Sequence, residues 1–327
     1  MYIDWRAREM MIQRMAVILL VFISALTPAV ASEQKATLLP DNCDESVDYL
    51  AIDMFDPELD PALKAKLLKG VEASAEEGCL YHHYVWGTLL RFGKDLPGNL
   101  LDKDVQKAAP LIEAYAKNGH LIAYSDLAEM ALASDDARNA MLWTQVYLYF
   151  VTRHADKALT DFDRRGYNAD LLSRAMVAWR NAKFKKSQIE PMLDEYLARH
   201  ETTILKGLQD SRSDLRTSHP TSSQNKLGSD LGEAPDLQVK ARPEVIDTHL
   251  VMSPSYAVFL LEVQPSGVVS RVVAESFAPS PEAARKLRPM IMGITFEPFA
   301  WHEPQVVRVP VMYGYGDGPS LKKVKTK

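Results

Sequence analysis

The chain has 327 residues, of which 47% are hydrophobic and 25% are charged, with 15 Gly, 19 Pro and 2 Cys. This composition is typical of a globular protein and excludes a disordered, collagenous or disulfide-dense chain. The formal net charge of −5 argues against nucleic acid as a partner held by bulk electrostatics. Beyond the N-terminus no apolar segment approaches the roughly 20 residues of a membrane helix, which excludes a polytopic membrane protein.

The first 31 residues have the pattern of a secretory signal peptide. Residues 15–31 read MAVILLVFISALTPAVA, with Arg14 before the apolar core and Ala29 and Ala31 before Ser32. The apolar core is short for a spanning helix, and the small residues form a cleavage site. We therefore expect an exported, periplasmic protein that is cleaved after Ala31. The alternative is an uncleaved leader that anchors the chain in the membrane.

Export determines how the two cysteines are interpreted. Cys43 and Cys79 lie 36 positions apart and do not form a C-x-x-C pair. In an oxidising compartment the simplest prediction is one disulfide between them, worth about 3–4 kcal/mol in the chain-entropy model. The alternative is a pair of buried free thiols.

Residues 43–210 have the apolar periodicity of amphipathic helices. Apolar side chains recur three and four positions apart, as at Leu127, Met130 and Ala131. Breakers interrupt the pattern where antiparallel helices would turn, at Gly93, Pro97-Gly98, Asn118-Gly119, Ser134-Asp135 and Gly166-Tyr167-Asn168. The sequence therefore predicts an all-helical domain of short antiparallel helices.

Two stretches between residues 70 and 150 are similar to each other. Ala75–Gly78 is followed by Trp86-Gly87, and Ala116–Gly119 is followed at the same offsets by Leu127-Ala128. This order resembles the Sel-type tetratricopeptide-like repeats, which implies stacked helix pairs that share a core. We expect the small residues Gly87, Ala123 and Ala128 to permit close helix packing. The alternative is an irregular helical bundle without true repeats.

Stacked helix pairs often form a concave surface that binds peptides or proteins. Trp86, Trp143 and Tyr147 are the candidate partner-binding residues of such a groove. The alternative is that these three aromatic side chains belong to the hydrophobic core.

A polar segment separates the helical half from a second region, whose sequence pattern predicts strands. Residues 211–239 are dense in Ser, Thr, Asp, Gly and Pro without apolar periodicity, and we expect a flexible linker. In residues 240–315, the run Tyr256–Val263 predicts a buried strand, and the next strand follows the turn at Gly267. Ser280 and Pro281 then begin a short helix, before a closing strand within Gln305–Tyr313. Residues 316–327 form a basic tail.

The order of elements over residues 242–315 resembles the C-terminal domain of the TonB energy-transducer family. The similarity rests on the turn at Gly267-Val268, the helix Glu282-Ala283-Ala284, the step Phe296-Glu297-Pro298 and the strand Val306–Val311. It implies a small antiparallel sheet with a helix, acting as a periplasmic protein-binding module. The chain departs from the family in its cleavable leader, its short linker and its helical region in place of a long Pro-rich spacer.

The last predicted strand, Val306–Met312, is the candidate site of strand pairing with a partner. Val307, Val309 and Val311 share one face and are expected to point into the core, and Val306, Arg308 and Pro310 share the other. Arg308 marks the second face as the solvent side, and Pro310 is tolerated only at an edge or bulge. We therefore expect Arg308 and Val306 to contact a partner and Arg308→Glu to leave folding intact. The alternative is that residues 314–327 or a second copy covers this edge.

The sequence contains no recognisable catalytic or metal-binding motif. It has no G-x-S-x-G, no G-x-x-x-x-G-K and no C-x-x-C, and His200-Glu201 is followed by Ile204 where a zinc protease needs its second His. His82 and His83 are adjacent and point to different sides of a helix. Acidic pairs such as Asp135-Asp136 are expected to cap helices. We therefore expect no catalytic residue, metal or cofactor.

These observations predict an α+β protein of two domains, one a helical solenoid-like array and the other a small antiparallel sheet with a helix. We expect a periplasmic protein-binding or scaffolding protein without catalysis, whose partner is another protein or a peptide segment. Neither nucleic acid nor a small-molecule substrate is expected, and the membrane is a partner only if the leader is uncleaved. One alternative is a membrane-anchored TonB-type energy transducer for outer-membrane transport. The other is an enzyme with its site in the helical region.

Overall fold

The computed structural model describes residues 47–154, 166–217, 239–241, 254–300, 302–313 and 320–321. Residues 1–31, with the predicted signal peptide, and Cys43 lie outside the described residues. In the described part of the chain, eight helices precede the sheet: α1 Val47–Phe55, α2 Pro61–Glu76, α3 Leu80–Phe92, α4 Val105–Lys117, α5 Ile122–Ala133, α6 Ala137–His154, α7 Tyr167–Asn181 and α8 Ile189–Thr217. We call α1–α8 the helical array. The predicted helical first half is confirmed.

Acidic side chains begin several of these helices, as the sequence predicts. Asp60 Oδ1 accepts hydrogen bonds from the backbone N–H groups of Ala62 and Leu63 at 3.0 and 2.9 Å. Asp104 Oδ1 accepts one from the Lys107 N–H at 3.0 Å. Such caps satisfy N–H groups that have no partner within the helix. The acids at helix starts are therefore structural.

The two similar stretches of sequence adopt the same local structure. Gly78 follows α2 with φ of +96°, and Gly119 follows α4 with φ of +92°, and a new helix begins soon after each glycine. Glycine adopts this left-handed conformation without steric cost. Gly87 lies where α3 crosses α4, because a Cβ atom there would lie 2.8 Å from Ile112 Cγ1. The predicted close approach at Gly87 is confirmed.

The second half contains an antiparallel sheet with a short helix. Its elements are β1 Val239–Ala241, β2 Ser255–Val263, β3 Val269–Ala278, α9 Pro281–Leu287, β4 Thr295–Phe296, β5 Gln305–Tyr313 and β6 Ser320–Leu321. The main sheet has the order β3-β2-β5-β6, and β1 pairs separately with β4. The predicted strand–turn–strand–helix–strand order is found, and the chain has an α+β fold.

The helical array and the sheet share their hydrophobic core. One cluster joins Ile52 and Val85 of the helices to Phe259 and Val309 of the sheet, and all described residues belong to one compact unit. On β2, the consecutive residues Phe259, Leu260 and Leu261 are each at most 1% exposed, so both faces of the strand are covered. The expectation of two separable domains therefore needs correction: the sheet packs directly on the helices.

The predicted linker also begins too early. Helix α8 continues to Thr217, seven positions into the segment that was expected to be irregular. Residues 218–238 lie outside the described residues. The helix extends because its periodicity continues past Ile204 through Leu208, and no Gly or Pro follows Gly207 before Pro220.

Candidate functional site

The outer edge of β5 is only partly covered. Ser320 and Leu321 of β6 pair with Met312 and Val311, so the tail covers one end of the strand. Coverage of this edge by residues 314–327 was the alternative to strand pairing with a partner, and β6 provides it in part. Among the described residues, no strand pairs with the outer side of β5 from Gln305 to Pro310. We call this segment the open edge.

The direction of the backbone groups along the open edge follows from Pro310. It lies opposite Val258 of β2, and proline has no N–H to donate to that strand. A proline within a strand is accommodated where its nitrogen faces outward. In antiparallel strands the side that a residue's backbone groups face alternates with every position. The N–H and C=O groups of Arg308 and Val306 therefore point outward as well.

The side chains of this strand differ from the sequence expectation. Val306 is only 2% exposed, whereas Arg308 is exposed as expected but its guanidinium is paired, so this face is only partly open to solvent. Arg308 Nε and Nη2 each lie about 3.1 Å from a carboxylate oxygen of Glu275. The Arg308 guanidinium also lies 5.0 Å from the ring centre of Tyr81 in α3. Arg308 thus joins the sheet to the helical array. These contacts give a reason to expect that Arg308→Glu destabilises the fold instead of leaving it intact.

Glu275 reaches this position through a β-bulge. Val258 pairs with Ser276 and Phe259 pairs with Ala274, so Glu275 has no direct partner in β2. A bulge bends its strand and redirects the extra side chain. The Glu275 carboxylate is 3% exposed, and it accepts a hydrogen bond from the Tyr81 hydroxyl in addition to the contacts with Arg308. The sequence offered no signal of a bulge.

A stack of rings continues from Tyr81 along the surface of the array. The ring of Tyr115 lies 6.3 Å from Tyr81 and 4.7 Å from Tyr84, and His120 stacks on Tyr115 at 3.8 Å with an interplanar angle of 3°. We call Tyr81, Tyr84, Tyr115 and His120 the aromatic stack. Tyr84 is buried and the other three are half-buried. Burial, together with a smaller contribution from the positive charge of Arg308, lowers the pKa of His120 to about 4. The imidazole is therefore neutral at pH 7.

A second, closed polar cluster lies where β2 meets the array. The buried Asp126 carboxylate accepts hydrogen bonds from Arg91 at 2.5 Å, from the Tyr256 hydroxyl at 2.9 Å and from the Tyr84 hydroxyl at 3.0 Å. Burial raises the pKa of Asp126, and Arg91 with the two hydroxyls opposes that rise. All four side chains are at most 4% exposed. The cluster therefore holds the sheet against the helices and offers no access to a ligand.

The three aromatic residues predicted to line a groove all contribute to the packing of the helices. Tyr147 is 4% exposed in the core of the array. Trp143 is half-buried and contacts the rings of Tyr124 and Tyr196 at 6.1 and 5.3 Å. Trp86 is half-buried against both large hydrophobic clusters. Tyr147 therefore belongs to the core, as the alternative had it, and a partner-binding role for the half-buried Trp86 and Trp143 stays a prediction.

A shallow cleft of about 480 Å³ lies beside α7, lined by Leu132, Asp135, Ala137, Ser173, Arg174, Val177, Ala178, Asn181 and Ala182. Its only cationic side chain, Arg174, already binds both oxygens of the buried Glu129 at 2.7 and 2.6 Å and Asp170 at 2.6 Å. Tyr167 donates to the same Glu129 at 2.7 Å. These contacts fix α7 on α5, and they leave the cleft without a cation free to select an anionic ligand.

The remaining residues singled out in the sequence have structural surroundings. His82 is 4% exposed, His83 Nε2 lies 2.6 Å from the Ala75 carbonyl oxygen, and Glu201 accepts a hydrogen bond from Tyr149 at 2.5 Å. Within the described ranges, no three His, Cys, Asp or Glu side chains are placed to hold a metal ion. No helix in those ranges is long and apolar enough to cross a membrane.

Cys79 is disulfide-bonded and 3% exposed. Its pairing with Cys43, which lies outside the described residues, stays a prediction.

No family model, curated protein or solved structure matches the chain.

Proposed function

We propose that the protein binds an extended segment of another protein at the open edge of β5, with the helical array as a supporting wall. The observation that carries the proposal is the outward N–H and C=O of Val306 on the open edge, for which the described residues supply no strand partner. An added strand satisfies such groups by main-chain hydrogen bonds. No chemistry is proposed at this edge.

The surroundings of the open edge favour a peptide over a small molecule. The aromatic stack begins at Tyr81, which contacts Arg308 of the edge strand, and Tyr115 and His120 extend it while half-buried. Aromatic side chains supply large contact area with few rotatable bonds, which suits them to binding apolar side chains of a partner. The resemblance to TonB-type domains supports the same mode of binding and a periplasmic location.

The experiment separates the backbone from the side chain at one position. Val306→Pro removes the outward N–H, whereas Val306→Ala shortens the side chain and keeps that N–H. Both variants are first checked for the far-UV circular dichroism of the wild-type protein. Crosslinking from cells followed by peptide mapping identifies the bound segment, which is then synthesised and titrated against the three proteins.

We expect the synthetic segment to bind wild type and Val306→Ala and to bind Val306→Pro at least tenfold more weakly. Hydrogen exchange at the amides of Val306 and Arg308 then slows on binding. Equal affinity for all three proteins, or protection confined to helices α5–α8, overturns the proposal.

The related alternative is a membrane-anchored energy transducer, which the TonB-like order of strands also supports. The two proposals differ in the fate of residues 15–31. N-terminal sequencing of the mature protein distinguishes them: a chain that begins at Ser32 rejects the anchored transducer, and a retained leader supports it.

A further inference from the structure

The turn that joins α7 to α8 concentrates positive charge. Residues 180–188 read RNAKFKKSQ, with four cations and no acid, and all nine are exposed. The cations are Arg180, Lys183, Lys185 and Lys186. We call this segment the basic turn.

The cations of the basic turn differ from most other surface cations of the described chain. Lys94, Lys117 and Arg199 each lie within 2.9 Å of a carboxylate oxygen, but no described acid lies within ion-pair distance of the four cations of the turn. Like charges so close in sequence repel one another, and a bound anionic surface relieves the repulsion.

An exposed apolar side chain, Phe184, lies between the cations of the basic turn. Phe184 is 38% exposed, and its ring rests against the buried Trp179 at 4.6 Å. The preceding Lys183 has φ of +59°, a conformation in which glycine is usual. Val177, one turn of α7 before the end of the helix, is 42% exposed. The turn therefore presents an aromatic tip surrounded by cations.

We propose that the basic turn binds the surface of a membrane that contains anionic phospholipids. Phe184 inserts at the level of the headgroups, and the four cations lie against the lipid phosphates. Apolar insertion and electrostatic attraction together give peripheral binding that neither supplies alone. Each cation near an anionic leaflet raises the partition coefficient roughly fivefold. Nucleic acid is the less suitable polyanion, because the net charge of the chain is −5 and the basic surface is confined to one turn.

The chain supplies matched controls for the test. Lys66 and Lys69 are two exposed lysines of α2, and Leu63 on the same helix is 44% exposed. The paired variants are Lys185→Gln with Lys186→Gln against Lys66→Gln with Lys69→Gln, and Phe184→Ser against Leu63→Ser. Each pair changes the same net charge or removes a similar exposed apolar side chain.

Co-sedimentation is measured with vesicles of phosphatidylcholine and with vesicles that also contain phosphatidylglycerol. We expect binding to the anionic vesicles alone, weakening as salt increases. The double variant in the turn loses roughly 25-fold in partition, Phe184→Ser loses severalfold, and both α2 controls bind as wild type. Equal losses in the α2 controls, equal binding to neutral vesicles, or binding to duplex DNA without binding to vesicles overturns the proposal.

Discussion

The Arg308 guanidinium on β5 reaches across β2 to the Glu275 carboxylate on β3, with Nε 3.1 Å from Oε2. Glu275 is 3% exposed, and Tyr81 of the helical array donates to the same carboxylate. Three elements that are distant in sequence therefore meet at one buried charge. Removing the cation leaves that charge unbalanced, which costs more free energy than an exposed ion pair contributes.

Arg308→Glu is expected to lower the free energy of unfolding by roughly 2–4 kcal/mol, since it places a second carboxylate beside Glu275. Arg308→Met removes only the cation and is expected to cost less. The exchange variant Arg308→Glu with Glu275→Arg restores part of the loss. Urea denaturation of the four proteins measures these values. An Arg308→Glu protein as stable as wild type contradicts the buried contact.

Tyr256→Phe removes one hydroxyl that holds the sheet against the array and keeps the ring packed at 4.9 Å on Tyr167. We expect a loss of about 1–2 kcal/mol, because Asp126 loses one of its donors in a buried site. Unfolding followed by tryptophan fluorescence and by far-UV circular dichroism is expected to give coincident midpoints that shift together. Separate midpoints for the two signals argue that the helices and sheet unfold independently.

Gly87→Ala tests the contact between α3 and α4. The new methyl group would lie 2.8 Å from Ile112 Cγ1, and Ile112 is fully buried, so we expect a loss of roughly 1–2 kcal/mol. Gly70→Ala on α2 is the control. Nothing lies within 4 Å of the added atom there, and the change is expected to stabilise the helix by about 0.5–1 kcal/mol. Equal effects at both positions contradict the close approach at Gly87.

His120 predicts a pH dependence of stability. Its pKa is about 4 in the folded chain because of burial and the nearby Arg308, against about 6.5 when unfolded. Stability from this group is therefore fully present above pH 6.5 and is lost as the pH falls towards 4, since only the unfolded chain takes up the proton. The loss is expected to reach about 1–3 kcal/mol.

His120→Gln keeps a polar side chain that does not titrate. We expect this variant to lose less stability than wild type between pH 7 and pH 4.5 in thermal melts. His200, whose pKa is also lowered by burial, titrates in both proteins, so the difference between the two curves isolates His120. Parallel curves contradict the role assigned to His120.

The sequence predicts the elements of this fold better than their packing. Apolar periodicity and caps depend on neighbours within a few residues. The sequence could therefore predict the helices and the start of α9 at Pro281. The pairing of Arg308 with Glu275 could not be predicted, because it joins two strands that are distant in sequence. The uninterrupted apolar run of Tyr256–Leu261 was the available signal, since it is typical of a strand covered on both faces.

The sequence likewise predicts one part of the candidate site and misses another. Pro310 indicated an edge from the sequence, and the structure places an incompletely paired strand there. The aromatic stack depends on Tyr81, Tyr115 and His120 meeting across two helices and the following turn, which no local pattern encodes. Bulges likewise depend on the pairing between strands, so the sequence could not predict that Glu275 is buried.

The shared core also sets an order of events during synthesis. Ile52 near the beginning of the described chain packs in the same cluster as Phe259 and Val309, which emerge from the ribosome more than 200 residues later. Until then the sheet-facing side of the first helices has no partner, and the loops that must close are long. A nascent chain therefore carries exposed apolar surface through most of its translation. Any factor that holds it unfolded acts on α1–α3 first and is displaced when β5 arrives.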